Sequence, residues 1–172
     1  MSFLDSLRSL FSGPQPVRVD TEPGVIYLPA EGTVIPLQEI GDGVFSEGIL
    51  GPGCGFVPEK QTVYSPVDGE VTQTIDTKHA VGLMSKDGAE ILVHIGMDTV
   101  EMNGDGFEVL VKKGQQVRCG QPIMKFSKDK ILQAGHPLTS ALVVTNADDL
   151  SEVTVLGTGE MELLSPVIRT AK

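Results

Sequence analysis

Short apolar runs alternate with turn residues along most of this chain, which is typical of a β protein. From Val25 onward the runs are rich in β-branched residues: VIYLPA, TVIPL, TVYSPV, EVTQTI, EILVHIG, FEVLVKK, IMKF, ALVVTN, VTVLG and SPVIR. Turn-forming pairs separate them, namely Asp42-Gly43, Asp68-Gly69, Asp87-Gly88 and Lys113-Gly114. The pattern predicts an all-β domain over residues 25–172, with short helical turns near residues 128–134 and 148–150.

The N-terminal residues 1–13 have a helical pattern instead. Their apolar residues recur at the spacing of an amphipathic helix: Phe3, Leu4, Leu7, Leu10 and Phe11. Residues 14–24 are rich in proline and polar residues and are interpreted as a flexible linker. A short helix on a linker needs another surface for its apolar face, so we expect weak membrane-surface contact through residues 1–12. A disordered tail, or a helix folded back on the domain, is the alternative.

Residues 27–34 and 64–71 form a weak internal repeat. Both segments carry the pattern Tyr-x-Pro-x-x-Gly-x-Val. Two copies are too few for a solenoid, but they suit a β-sandwich in which similar hairpins occur twice. Chance similarity between turn-rich strands is the alternative explanation.

Charge and composition exclude several classes of function. The formal net charge is −10, which argues against nucleic acid as a partner, because phosphate backbones require a basic surface. An acidic surface can instead steer a basic protein toward the chain; solubility alone is the alternative explanation. Cys54 and Cys119 are the only cysteines and form no CxxC pair, so we expect two buried reduced thiols. The sequence has no run of about 18 apolar residues and no signal-peptide pattern, which indicates a cytoplasmic protein.

His94 lies in a run that predicts a strand with one core face and one open face. Side chains alternate across the predicted sheet in residues 87–96, DGAEILVHIG. Four residues share the core face: Ala89, Ile91, Val93 and Ile95. Glu90, Leu92 and His94 share the other face, so we expect the imidazole beside an apolar neighbour, where another protein can meet it. From this strand alone, a structural or merely exposed histidine is the alternative.

His79 follows the predicted strand EVTQTI, and the segment between it and His94 has the pattern of a hairpin. A hairpin would bring the two imidazoles together on one face. One neutral ring nitrogen can attack phosphorus near neutral pH, because the ordinary pKa of histidine is about 6.5. The second imidazole, a hydroxyl such as that of Thr77 and backbone donors can stabilise the transferred phosphoryl oxygens. A phosphorylated imidazole is labile enough to pass the group onward.

Residues 90–107, EILVHIGMDTVEMNGDGF, closely resemble the active-site signature of the glucose-type IIA proteins of the phosphotransferase system. Thr77-Lys78-His79-Ala80 resembles the second-histidine segment of the same family. Further matches are SPVDG at 65–69, QQV at 115–117 and SPVIR at 165–169. The resemblance covers roughly residue 25 to the C-terminus. The N-terminal segment is similar to the lipid-binding tail of free-standing members, although that likeness is less specific.

The resemblance implies a phosphocarrier, which is a phosphotransferase component. His94 would be phosphorylated, His79 would hydrogen-bond the phosphoryl group, and Thr77 would orient His79. The donor would be phospho-HPr, a small basic carrier, and the acceptor a cysteine in the IIB domain of a membrane sugar transporter. The implied fold is an antiparallel β-sandwich, a barrel-like hybrid with short helical turns. No cofactor is required, and the implied location is the cytoplasm, peripheral at the inner face of the membrane.

The resemblance also implies regulation of carbon metabolism, because unphosphorylated members dock on metabolic proteins and permeases. In some such complexes the two histidines, here His79 and His94, share a zinc ion with a partner carboxylate. In the best-known members of the family, the docking patch around the two histidines is rich in phenylalanine. In this chain we expect a mainly aliphatic patch, formed by Val44, Phe45, Ile49, Leu50, Ile75, Val81 and Leu92. Asp98 is assigned to the same patch, where it orients an imidazole or shapes the adjoining turn.

Three other functions stay as alternatives. A regulatory docking module without phosphoryl transfer would use the same patch but would not need both histidines. A zinc hydrolase is suggested by His94-x-x-x-Asp98, but the companion His-x-His motif of lysostaphin-type peptidases is absent from the sequence. A lipoyl or biotinyl carrier is suggested by VKKGQQV at 111–117, although Met-Lys-Phe at 124–126 matches the attachment hairpin only in part.

Overall fold

The computed structural model describes residues 13–172, so the predicted amphipathic helix and its membrane contact fall outside the described residues. Strands make up most of the regular structure: β1 (Val25–Tyr27), β2 (Gly32–Pro36), β3 (Gly53–Pro58), β4 (Thr62–Tyr64), β5 (Gly69–Thr74), β6 (Ala80–Ser85), β7 (Glu90–His94), β8 (Phe107–Val109), β9 (Gln116–Val117), β10 (Pro122–Phe126), β11 (Ser140–Val144), β12 (Glu152–Val155), β13 (Gly159–Met161) and β14 (Pro166–Ala171). The helical elements are short: α1 (Lys128–Gln133) and 3-10 turns at Leu37–Ile40, Thr99–Met102 and Ala147–Asp149.

The predicted all-β class is confirmed. Each of the ten β-type runs contains a strand, and both predicted helical segments contain a helix or a 3-10 turn. Helix α1 begins after Ser127, whose hydroxyl accepts the amide hydrogen of Lys130 and so caps the first turn. It is only 6 residues long, and one buried side chain, Ile131, fixes it to the core.

Strand β3 is the main element that the apolar pattern did not predict. Closely spaced glycines such as Gly51, Gly53 and Gly55 are typical of turns or bulges, yet Gly53 and Gly55 lie within β3. A Cβ atom at Gly53 would lie 2.0 Å from the carbonyl oxygen of Leu142 on the neighbouring strand. At Gly55 it would lie 2.8 Å from the side chain of Ile35. These glycines therefore allow close packing rather than a chain reversal.

Three antiparallel sheets enclose one core. The largest has the strand order β13-β2-β3-β11-β7-β6-β5-β9, and the two smaller ones have the orders β1-β14-β12 and β4-β10-β8. All of their strand pairs are antiparallel. Side chains from all three sheets pack in a single buried cluster, which includes Ile26, Val63, Phe56, Leu83, Val93, Met124, Leu142 and Ile168. Strands β7 and β11 lie at the centre of the large sheet, which makes them a rigid support for side chains on its other face.

The two copies of the sequence repeat occupy equivalent places and hydrogen-bond to each other. Tyr27 ends β1, and Tyr64 ends β4. The amide of Tyr27 donates to the carbonyl of Pro66 at 3.0 Å, and the amide of Tyr64 donates to the carbonyl of Pro29 at 2.8 Å. The repeat therefore corresponds to two similar connections between strands, β1 to β2 and β4 to β5, which contact each other in the structure.

Residues 14–24, predicted to be a linker, have no helix or strand but follow the surface of the domain. The hydrogen bonds that hold this strap include Val17 amide to Gly120 carbonyl, Thr21 hydroxyl to Asp68 carboxylate, and Gly24 amide to Asp87 carboxylate. Their lengths are 2.9, 3.1 and 3.0 Å. The segment is thus attached to the domain from residue 17 onward.

No helix within residues 13–172 has the length and apolar character needed to cross a membrane.

Candidate functional site

His94 is the last residue of β7 and points away from the main core. The four residues predicted for the core face are buried: Ala89, Ile91, Val93 and Ile95. The three predicted for the other face are half-buried: Glu90, Leu92 and His94. The predicted division of this strand into two faces is therefore confirmed. Small side chains flank the imidazole, because His94 lies opposite Ala80 on β6 and Ala141 on β11.

His79 lies directly before β6, and the β6–β7 hairpin brings it to His94. The two imidazole centroids are 4.6 Å apart, and the ring planes meet at 83° in an edge-to-face arrangement. His79 is buried, with 5% of its surface exposed. The predicted juxtaposition of the two histidines is therefore confirmed.

Burial controls the protonation of the pair. Burial lowers the pKa of His94 from 6.5 to about 4, and the charge of His79 acts in the same direction. The backbone of Gly96 and the carboxylates of Asp42 and Asp98 raise the pKa of His94, but by less than burial lowers it. Burial also lowers the pKa of His79. Both imidazoles are therefore largely neutral at pH 7, and each keeps one nitrogen lone pair.

The two nitrogens of each imidazole differ in their access to other molecules. The Nδ1 atoms of His79 and His94 are buried, and neither has a hydrogen-bond partner among the described residues. A group that arrives from outside can therefore reach His94 only through Nε2. A lone pair on Nε2 requires the proton of the neutral ring to sit on Nδ1.

The backbone beyond His94 is held by a tight turn. The amide of Gly96 donates to the hydroxyl of Ser140 at 3.0 Å, and that hydroxyl donates to the carbonyl of Leu138 at 2.8 Å. The hydroxyl of Thr99 donates to the carbonyl of Ile95 at 2.6 Å. Gly96 itself has φ +70°, in the left-handed region that favours glycine. The sequence alone did not identify Ser140 as a residue that supports the site.

Thr77 precedes His79 in a half-exposed turn. Its backbone partly offsets the effect of burial on the pKa of His79. No hydrogen bond joins the Thr77 hydroxyl to His79 in the described part of the chain, so the orienting role of that hydroxyl stays a prediction. Asp98 has φ +59° and is exposed at the start of the Thr99–Met102 turn, where its carbonyl accepts the amide of Glu101.

The predicted docking patch divides into exposed and buried members. Val44, Ile49 and Leu50 are exposed, with 42%, 68% and 38% of their surfaces accessible. Ile75 and Leu92 are half-buried. The assignment of Val81 and Phe45 to a contact surface is corrected, because their exposed fractions are 0% and 5%. Val81 lies on the core face of β6, where the hairpin register places it opposite the buried Val93.

Phe45 supports the site from within. Its ring centroid lies 4.9 Å from that of His94, at an interplanar angle of 60°. The ring belongs to a second, smaller apolar cluster with Leu37, Met97, Ala141 and Val143. The backbone of Phe45 is held by the carboxylate of Asp42, another residue that the sequence did not identify as part of the site.

The carboxylates and the two cysteines are further groups within residues 13–172 that could bind a metal ion or act as nucleophiles. No group of three or more histidine, cysteine, aspartate or glutamate side chains there could hold a metal ion. Cys54 and Cys119 are both free and buried, as predicted. Burial raises the pKa of each thiol to about 12, and the charge of Asp68 adds to this at Cys119. Neither cysteine is therefore a nucleophile at neutral pH.

Comparison with known proteins identifies what this arrangement is similar to. Residues 24–150 match the family model described as phosphoenolpyruvate-dependent sugar phosphotransferase system, EIIA 1. The fold is similar to glucose permease IIA from Mycoplasma capricolum, with a TM-score of 0.80 and 31% identity. That match covers 88% of this chain and 98% of the other.

Two curated relatives are larger proteins. The chain is 42% identical over 138 residues to the PTS system beta-glucoside-specific EIIBCA component of Bacillus subtilis (strain 168), a match covering 80% of this chain and 23% of that protein. It is 41% identical over 145 residues to the PTS system glucose-specific EIICBA component of Staphylococcus carnosus (strain TM300), covering 84% of this chain and 21% of that protein. The chain thus spans less than a quarter of the length of these relatives.

Proposed function

Because the chain belongs to the EIIA 1 family of the phosphoenolpyruvate-dependent sugar phosphotransferase system, we propose that it is a phosphohistidine carrier. It accepts a phosphoryl group from phospho-HPr on Nε2 of His94 and passes it to the cysteine of a IIB domain. The observation that carries the proposal is the edge-to-face pair of neutral imidazoles, 4.6 Å apart. The lowered pKa of both rings supports it, because only an unprotonated nitrogen can attack phosphorus.

The accepting step needs little proton movement. The lone pair of His94 Nε2 forms a bond to phosphorus while the bond from phosphorus to the donor breaks, and that electron pair leaves with the donor. The proton on Nδ1 stays in place, and the ring carries the positive charge that develops. The buried Nδ1 atom supports this assignment, since it leaves Nε2 as the accessible nucleophile.

His79 acts on the phosphoryl oxygens. Its imidazole approaches the His94 ring edge to face and donates a hydrogen bond to an equatorial oxygen, where negative charge accumulates in the transition state. Thr77 positions His79. Because His79 is 5% exposed, its orientation is set by the fold, and little reorganisation is required when the donor docks.

The forwarding step reverses the first with a different partner. A cysteine thiolate of the IIB domain attacks phosphorus, a sulfur–phosphorus bond forms, and the nitrogen–phosphorus bond breaks with its electron pair returning to Nε2. The names of the larger relatives combine A, B and C components, which supports a IIB domain as the acceptor. We place the transfer in the cytoplasm, at the inner face of the membrane.

Both partners dock on the apolar surface around the histidines. Its exposed side chains are Val44, Ile49 and Leu50, with Ile75 and Leu92 half-buried beside them. Apolar side chains exclude water from the transfer, and Asp98 at the edge offers a carboxylate to a basic donor. The formal charge of −10 favours encounter with a basic protein such as HPr.

A second candidate function uses the same surface without phosphoryl transfer. The unphosphorylated chain docks on metabolic enzymes or permeases and regulates carbon metabolism, as a docking module would. His79 and His94 supply two nitrogen ligands for zinc, and zinc favours four. The described residues hold no third ligand nearby, so a partner carboxylate must complete such a site.

The test is phosphoryl transfer from phosphoenolpyruvate through purified Enzyme I and HPr, followed by mass and acid lability. Wild type should gain one acid-labile phosphate, and His94→Gln should gain none. His79→Gln should accept the group but fail to pass it to a IIB domain. His136→Gln is the matched control, because this third histidine lies outside the pair and should behave as wild type.

Two outcomes decide between the candidates. If folded wild type gains no phosphate, the carrier proposal is wrong, and the docking function becomes the better explanation of the surface. If His94→Gln still gains an acid-labile phosphate, the accepting residue is wrongly assigned.

A further inference from the structure

Asp42 caps a turn in the loop that connects the Leu37–Ile40 turn to β3. Its two carboxylate oxygens accept the amide hydrogens of Phe45 and Ser46, at 3.1 and 3.0 Å. The hydroxyl of Ser46 accepts the amide hydrogen of Gly43 at 3.1 Å. The two side chains therefore close the turn reciprocally, in a manner similar to a helix capping box. Burial alone would raise the pKa of Asp42, but these hydrogen bonds hold it below its usual value, so the cap is charged at neutral pH.

The capped turn contains Phe45, whose ring packs against the imidazole of His94. Phe45 is the fourth residue of the turn, and its ring lies 4.9 Å from the imidazole. The His94 ring therefore has two ring neighbours, Phe45 and His79, the second at 4.6 Å. Phe45 is 5% exposed, so its position depends on the turn backbone and on the apolar cluster beneath it.

We infer that Asp42 is a positioning residue for phosphoryl transfer, which acts by holding the turn that keeps the Phe45 ring against the His94 imidazole. With Phe45 in place, rotation of the imidazole is restricted, and Nε2 stays directed outward. The inference rests on the proposed carrier function, which it deepens by one residue. In this role Asp42 differs from acidic residues that contribute only surface charge.

Glu47 provides the matched comparison. It lies in the same loop and carries the same charge, but it is exposed and outside the reciprocal cap. The charge of Asp42 also raises the pKa of His94; if that charge were the only requirement, Asp42→Asn would be impaired as strongly as Asp42→Ala, since both remove it. If the cap is the requirement, only Asp42 matters, and asparagine should replace it in part because its amide oxygen still accepts a backbone hydrogen bond.

The experiment compares Asp42→Ala, Asp42→Asn and Glu47→Gln with wild type in the full chain. The first readout is the contribution of Phe45 to the ring-current shift of the His94 ring protons in the NMR spectrum, taken as the change from wild type because the His79 ring is present in every variant. The second is kcat and KM for phosphoryl uptake from phospho-HPr. Asp42→Ala should lose the Phe45 contribution and have kcat about tenfold lower at similar KM, as expected when a reacting group is misplaced. Asp42→Asn should regain most of both, and Glu47→Gln should match wild type.

Three outcomes would overturn the inference. The ring-current shift could persist in Asp42→Ala, in which case the cap does not hold Phe45. The shift could be lost while kcat is unchanged, in which case the position of Phe45 does not matter for transfer. KM alone could rise, which would make Asp42 a contact for the donor. If wild type accepts no phosphoryl group, the carrier function fails, while the NMR comparison still decides whether Asp42 holds Phe45.

Discussion

The carbonyl oxygen of His79 accepts the amide hydrogen of Ile95 at 2.8 Å. Because Ile95 directly follows His94, this bond joins the backbone at one imidazole to the backbone at the other. Strands β6 and β7 continue the connection, since Ala80 lies opposite His94. The sheet itself therefore fixes the separation of the two rings, and a disturbance just beyond His94 should affect both histidines.

Gly96→Ala should destabilise the turn that follows His94. A Cβ atom there would lie 2.5 Å from Cγ2 of Thr99 and 3.2 Å from the carbonyl oxygen of Pro137. The left-handed φ and the steric conflict together should lower the free energy of unfolding by about 2–4 kcal/mol, measured by urea denaturation. The control is Gly114→Ala, which has φ +88° and no atom within 4 Å of the added Cβ. It should cost only about 1 kcal/mol, and equal losses in the two variants would contradict the steric explanation.

The lowered pKa of His94 predicts a stability that depends on pH. The folded pKa of about 4 lies below the ordinary 6.5, so the unfolded chain binds the proton first as the pH falls. The contribution of neutral His94 to the free energy of unfolding is thus fully present above pH 6.5 and is lost progressively as the pH falls toward 4. The loss is at most about 3 kcal/mol, and less because His94 is partly exposed. Urea denaturation at pH 7 and pH 4.5 should show a smaller difference for His94→Gln than for wild type; equal differences would be evidence against the shift.

Asp68→Ala should release the strap of residues 14–24. The Asp68 carboxylate accepts hydrogen bonds from the Thr21 hydroxyl, the Cys119 amide and the Lys86 ammonium group. The Thr21 bond joins the strap directly, and the Cys119 bond holds the loop whose Gly120 carbonyl accepts the Val17 amide. Loss of both should raise the population of the open strap about tenfold. Limited trypsin digestion, with mass spectrometry of the cut after Arg18, measures this population.

The control for the strap is Thr21→Val, which removes only one of the bonds to Asp68. Cleavage after Arg18 should then accelerate by a smaller factor than in Asp68→Ala. If neither variant is cut faster than wild type, the strap is held by other contacts.

The two thiols should be unreactive in the native protein. Burial raises the pKa of Cys54 and of Cys119 to about 12, so the thiolate that reacts with disulfide reagents is scarce at pH 8. Titration with an aromatic disulfide should find no fast-reacting thiol in the folded chain and two in urea. A thiol that reacts in seconds without denaturant would disprove this prediction.

Much of the fold and the central pair of histidines could be predicted from the sequence, because both depend on local patterns. Strand β7 shows alternation with period two, and this alternation alone assigns its core residues and His94 to opposite faces. The register of the β6–β7 hairpin follows from the turn at Asp87-Gly88 and brings His79 close. Strand β3 lacks such a pattern, since its glycines are required by the close approach of two neighbours, the preceding strand β2 and the strand β11, which is distant in sequence.

The less predictable parts of the site depend on tertiary packing. Phe45 and Val81 are apolar and close to the histidines, yet which apolar residues become exposed is decided by the elements that cover them. Asp42 had the appearance of a hairpin turn residue beside Gly43. The only sequence feature that indicates a capped turn is the spacing of Asp42 and Ser46, Asp-x-x-x-Ser. Nothing in the sequence connects that turn to His94.

The pairing of β1 with β14 has a consequence for how the chain can be reconnected. Val25 lies opposite Arg169 in that pair, so the first and the last strand of the domain are neighbours in one small sheet. The two strands can therefore be joined by a short connection, and the chain opened elsewhere, without threading it anew.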